Sequence, residues 1–237
     1  MKPVLILLIA SVSLFISSCS EDSDDVKPLD VPFFTVGSIE DSKSNDALAR
    51  KGGPGNSEPV FHFADPSTPI DGASSSIIRG PNGISMSFDV TGVTPGNAYT
   101  VWYVIFNVPG ECATSPCTEA DIFNPATQAD VTFGAGKVAG SNRLSVSGHR
   151  SVGDLSGSAI PFFNEVFGLN HPVFGLIDPE GAEVHLLSRC HGPKVPANMP
   201  EQIDSFVGGC TDFLDAGVVP VAVGECADIH FSQHLPA

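Results

Sequence analysis

The clearest pattern in the chain lies at residues 83–107, GISMSFDVTGVTPGNAYTVWYVIFN. Ile84, Met86, Phe88 and Val90 alternate with Ser85, Ser87 and Asp89, the period-2 signature of a strand with one buried face. Thr94-Pro95-Gly96-Asn97 follows with turn chemistry: proline fixes φ, and glycine and asparagine tolerate positive φ. Residues 99–108 are apolar or aromatic on both faces, which predicts a central strand covered on both sides. The expectation is a pair of strands that seeds a β-sheet. Tyr99, Trp102 and Tyr103 belong to this run and read as core rather than as an exposed aromatic platform for sugars.

Weaker patterns extend the same theme. Val60, Phe61 and Phe63 suggest a first short strand, and 76–79 another, before the turn Pro81-Asn82-Gly83. Further strands are expected at 129–133, 136–139 and 143–147, with a polar, glycine-rich loop over 148–157. Residues 173–177 and 182–189 flank Asp178-Pro179-Glu180-Gly181, which reads as a hairpin turn. Strands at 218–223 and 227–231 close the chain. One short helix is expected near 199–207, with Asn198 as its cap, Glu201 completing a capping box and Gly208-Gly209 as its stop. Eight to eleven short strands with closely spaced turns predict an all-β fold, an antiparallel β-sandwich of immunoglobulin-like layout. The 24 glycines and 20 prolines agree, because both residues disfavour long helices.

The N-terminus changes the picture. Lys2 precedes an apolar run at 4–16 that is too short to span a bilayer, and the run ends in Ile16-Ser17-Ser18-Cys19. This motif resembles the lipobox of bacterial lipoproteins, in which small residues precede a cysteine whose sulfur is diacylated after cleavage. The resemblance implies a signal peptide at 1–18 and lipidation of Cys19, with several acyl chains giving stable anchoring. Residues 20–25, SEDSDD, resemble the acidic surface-export signal of some outer-membrane lipoproteins. A polar tether is expected over 19–57, with one possible early strand at 31–36, and a single β-sandwich domain over 58–237. The implied location is the outer membrane, facing the periplasm or the cell surface.

Charge narrows the partners. Eleven basic against 27 acidic residues give −16, which argues against nucleic acid, since phosphate binding needs clustered lysine and arginine. An unknown extracellular ligand or envelope partner is expected instead.

Five cysteines follow Cys19, and an exported chain permits disulfides. Cys112–Cys117 is the best local bridge and Cys210–Cys226 the next, which leaves Cys190 over. Pairing of Cys190 with Cys210 stays open at this level.

Thr91-Gly92-Val93-Thr94-Pro95-Gly96-Asn97-Ala98-Tyr99, together with the stretch from Asp178 to His185, is similar in layout to chordin-type (CHRD) β-sandwich domains. The central strand departs from that family at Trp102-Tyr103-Val104-Ile105, where it lacks the usual histidine pair. The domain as a whole resembles a group of exported bacterial proteins without assigned activity. Both resemblances bear on fold alone.

Candidate chemistry gathers late in the chain. Alternation puts Glu183, His185, Leu187 and Arg189 on one strand face, and Val184, Leu186, Ser188 and Cys190 on the other. Asp228-Ile229-His230 repeats the acid–histidine spacing, and His234 follows. If the two strands are neighbours, Glu183, His185, Asp228 and His230 converge, with His191 or Cys190 completing a copper or zinc site. The plainer alternative makes these residues solvent-face partners in ion pairs, with no cofactor. Elsewhere, His149-Arg150 with Asp154 suggests a base and its orienter, although a loop is the simpler reading. Asp65, Asp71 and Asp178 read as turn formers rather than calcium ligands. Three functions follow: a non-enzymatic binding or envelope-interaction module, an exported metal-binding or redox protein, and an extracellular hydrolase.

Overall fold

The computed structural model describes residues 57–214 and 221–237. The expected signal peptide, the expected lipidation site at Cys19, residues 20–56 of the expected tether with its early strand, and residues 218–220 of one expected strand lie outside them. In chain order the strands are β1 (Ser57–Glu58), β2 (Phe61–His62), β3 (Asp65–Pro69), β4 (Ser74–Gly80), β5 (Gly83–Thr91) and β6 (Asn97–Phe106). They continue with β7 (Ala129–Val138), β8 (Arg143–Ser151), β9 (Glu183–Pro193), β10 (Asp212–Phe213) and β11 (Glu225–His234). One sheet has the order β1-β4-β5-β8 and the other β3-β2-β11-β9-β6-β7, with β10 joined in parallel to β11. All other pairings are antiparallel. The fold is the expected antiparallel β-sandwich.

β5 and β6 carry the patterns read from the sequence, and all ten residues of β6 are buried. They do not pair with each other. β5 lies between β4 and β8, and β6 between β7 and β9. The intervening turn, with Gly92 and Gly96 at φ 82° and 87°, carries the chain from one sheet to the other. Stacking explains this outcome: side by side, two apolar strands would still need cover, whereas facing sheets bury both stripes against each other. Ile84, Met86, Phe88 and Val90 thus meet Tyr99, Val101, Tyr103 and Ile105 in the inter-sheet core.

A second core covers the outer face of the larger sheet. Trp102, Val104, Phe106, Leu187 and Phe231 pack there against Ile122, Phe163 and Phe206. Phe163 belongs to α1 (Ile160–Phe167), a helix not anticipated from the sequence. Its local signals were present, with Pro161 in the first turn and Gly168 in the left-handed cap position at φ 63°. The helix expected near 199–207 is a single turn, α2 (Glu201–Asp204), and Pro200 rather than Asn198 occupies its N-terminal cap.

Three other boundaries differ. Residues 173–177 form no strand, Leu176 making only one bridge with Val152, so the Asp178 turn leads into β9 without a hairpin. Residues 221–223 are not strand either. Residues 129–138 form one strand rather than two, and β8 runs through 148–151, where a loop was expected. At that point Gly148 approaches β7 so closely that a Cβ would strike the Gly134 carbonyl.

Candidate functional site

β9 alternates as predicted. Val184, Leu186 and Cys190 face the inter-sheet core; Leu187 faces the outer core with its neighbours Glu183, His185, Arg189 and His191. β11 is its neighbour, which meets the condition for convergence. The convergence fails for two reasons: the antiparallel register sets Asp228 opposite Arg189, six residues along β9 from Glu183, and a bulge follows it. Asp228 pairs with Arg189, but the next matched residue is His230 with Ser188. The extra residue, Ile229, reverses which face each later side chain takes. His230 therefore turns inward, with Nδ1 2.8 Å from the Ser188 hydroxyl. His234 follows it inward and sets Nε2 2.9 Å from the hydroxyl of Ser75 on β4. Of the five residues proposed as ligands, Glu183 and His185 stay together, while His191, His230 and His234 take separate places. Nor are they solvent-facing: Glu183, His191, His230 and His234 are all buried.

On the outer face three separate groups result. At the first end, Glu183 Oε1 accepts hydrogen bonds from His185 Nε2 at 2.7 Å and from the Cys117 backbone N–H at 2.8 Å. Cys117 is bonded to Cys112, so this carboxylate ties the disulfide loop to the sheet. In the middle, Arg189 donates to Asp228 at 2.7 Å while its guanidinium lies 4.2 Å from the Phe206 ring and 5.0 Å from that of Phe213. Burial pushes the Asp228 carboxyl up, and Arg189 opposes that shift.

The third group lies about 26 Å along β9 from the first, at 3.3 Å per residue. His191 is fully buried beside the Cys210–Cys226 disulfide, with Nδ1 3.5 Å from each sulfur. Its hydrogen bonds define its state. Trp102 Nε1–H donates to Thr100 Oγ1 at 2.8 Å, which leaves the Thr100 hydroxyl hydrogen for His191 Nε2, also at 2.8 Å. His191 Nδ1 carries the ring proton and donates it to the Gly208 carbonyl at 3.0 Å. Burial, with the charge of Arg189, pushes the imidazole pKa down to about 3, so the ring is neutral. Gln202 of α2 secures this end of β9, its amide donating to the His191 and Pro193 carbonyls while its oxygen accepts from Val195 N–H.

The donor atoms of His191, Cys210 and Cys226 lie within 4.8 Å of one another, a grouping with the donors for a metal ion, although the two sulfurs are joined to each other here. Sequence reasoning offered Cys226 or Cys190 as the partner of Cys210 and named His191 separately. It missed their association because His191 lies 19 and 35 positions from the two. Cys190 sits on the opposite face as a free, buried thiol near Asn97 Nδ2, and burial pushes its pKa up.

The other candidates are tied into the fold. Arg150 donates to Asp154, to the Ser156 carbonyl and to the Phe133 carbonyl. His149 Nδ1 lies 2.9 Å from Ser85 Oγ, but among the described residues no carboxylate is bonded to its ring. Asp65 and Asp178 accept the local hydrogen bonds of turn formers. Among the described residues no helix is long and apolar enough to cross a membrane. Comparison with known protein families, curated proteins and solved structures finds no match to this chain.

Proposed function

We propose that the protein is an exported β-sandwich anchored to the outer membrane by lipid at Cys19, and that it acts as a binding or envelope-interaction module. One observation carries the binding reading. On the smaller sheet Ser57, Ser76, Ser87 and Ser147 align in register across all four strands. Ser75 points inward to His234, so this row points outward, and Ser76 and Ser87 share a 2.8 Å hydroxyl contact. Ser85, Ser145 and His149 flank the row, and the charges of Asp89 and Arg143 neutralise each other in an ion pair. A sheet face rich in hydroxyls and nearly free of net charge, on a chain of −16, suits a neutral polar surface such as a glycan. The larger sheet offers no equivalent, because its outer face is covered.

The test has two arms. Mass spectrometry of the mature N-terminal peptide should find a diacylglyceryl thioether on Cys19, and an acyl-free cysteine would remove the anchor. On a glycan and envelope-protein array, binding should be lost in a folded Ser76→Asp/Ser87→Asp variant. Undiminished binding by that variant, or none by the native protein, would remove the role of this face.

A second reading, an exported copper- or zinc-binding or redox protein, is favoured by the His191, Cys210 and Cys226 group. The hydrolase reading has no comparable observation in its support.

A further inference from the structure

We propose that the Cys210–Cys226 bridge is reversible and that its reduction converts the His191 group into a three-coordinate site for one cuprous ion. The inference rests on the metal-binding reading and specifies its metal and its gate.

The geometry supplies the donors. Nδ1 of His191 already lies 3.5 Å from both sulfurs, so the ligand set is assembled while the thiols are still joined to each other. Rotation of the cysteine side chains has to part the sulfurs to roughly 4 Å for both to bind one ion at metal–sulfur lengths near 2.3 Å. The surroundings hold the third ligand in place. Thr100 and Trp102 fix the far side of the imidazole, the kind of outer contact that orients metal-bound histidines. Arg189, whose charge already acts on His191, also favours an anionic thiolate pair.

The sulfurs differ in access. Cys226 is fully buried, whereas Cys210 is partly exposed. An incoming thiolate of a dithiol reductant therefore attacks Cys210 and displaces Cys226 as thiolate. The reductant's second thiol then resolves the mixed disulfide at Cys210. Two electrons and two protons pass to the cysteines, and the reductant leaves as its own disulfide. When Cu⁺ binds, the two thiol protons go to solvent. The imidazole proton moves from Nδ1 to Nε2, where Thr100 Oγ1 accepts its hydrogen bond, and Nδ1 is freed for the metal.

The donor set discriminates between metals. Two soft sulfurs and one imidazole suit cuprous ion, which accepts three ligands. Structural zinc sites close with four protein ligands, and zinc on two cysteines and one histidine takes a water as the fourth; the Gly208 carbonyl, 3.8 Å from Cys210 Sγ, is a poor fourth ligand, and the full burial of His191 and Cys226 disfavours a water there.

The experiment uses the full chain in detergent, as purified and after reduction followed by anaerobic desalting. Each form is titrated with Cu⁺ or Zn²⁺ against a chromogenic chelator, and stoichiometry is read by native mass spectrometry. The reduced chain should retain one copper and the oxidised chain none, with copper displacing zinc. A Cys112→Ser/Cys117→Ser variant should behave as the native chain does, and Thr100→Val should weaken copper binding roughly 10–100-fold. If the reduced chain retains neither metal, the metal-binding reading itself fails. If zinc resists an equal amount of copper, or the oxidised chain binds copper equally well, that reading survives and this assignment is overturned. A Cys226→Ser chain should lose the site. Should it not fold, the two redox forms of the native chain still decide.

Discussion

His230 and Ser188 face each other across the β11–β9 ladder at 2.8 Å, on the side of the sheet opposite the Arg189–Asp228 pair of the neighbouring rung. One bulge residue, Ile229, separates the two arrangements. It sends a histidine into the inter-sheet layer, where it joins His234, while the acid two positions earlier stays with the outer core. The consequences are energetic, because each buried group must be satisfied where it lands.

Protonation should unfold the protein from the neutral side downward. Burial pushes His191, His230 and His234 down to about 3 in the fold, against 6.5 for an unperturbed imidazole. Between those values the unfolded chain takes up protons that the folded chain refuses. Their stabilising contribution is therefore complete above about pH 6.5 and is lost as pH falls toward 3. The slope is about 1.4 kcal/mol per pH unit for each histidine. Urea unfolding at pH 7.5 and pH 5 should show the loss, and a folded His234→Gln variant should show a shallower slope. Equal stability at the two pH values would contradict the account.

Breaking the Arg189–Asp228 pair from one side should be costlier than removing both charges. Arg189→Met leaves a buried carboxylate without its partner, and the expected loss is about 3–5 kcal/mol. Arg189→Met with Asp228→Leu should recover most of it. Equilibrium denaturation of the two variants is the measurement, and a double variant no more stable than the single one would count against the mechanism.

Gly136→Ala tests the seating of α2 on β7. A Cβ at this position would run into the Ile203 carbonyl oxygen, backbone that cannot swing aside as a flexible side chain would. The expected destabilisation is about 1–3 kcal/mol, read as a lower thermal midpoint. Gly140→Ala, where a Cβ meets nothing within 4 Å, should leave the midpoint nearly unchanged.

Much of the fold was legible because it is local. Alternation at 84–90 fixed the buried face of β5, the apolar run fixed the doubly covered β6, and the parity of β9 was right through Cys190. The turn-rich CATSPC segment likewise announced the Cys112–Cys117 bridge. α1 was missed although Pro161 and Gly168 mark its ends, because eight residues containing three phenylalanines read as readily as a buried strand.

Period alone determines which residues of one segment share a face. Which faces meet is decided by burial among distant segments, and this separates β5 from β6 into opposing sheets. Parity is also fragile, since a single unpaired residue reverses it, and no local signal at Asp228-Ile229-His230 announces the bulge. The sequence by itself therefore determined the strands of β5, β6 and β9, the sandwich class and the Cys112–Cys117 bridge, and left Cys210 open between Cys226 and Cys190. Tertiary packing alone placed His191 against Cys210–Cys226 and sent His230 inward, because those contacts join positions that local chemistry never compares.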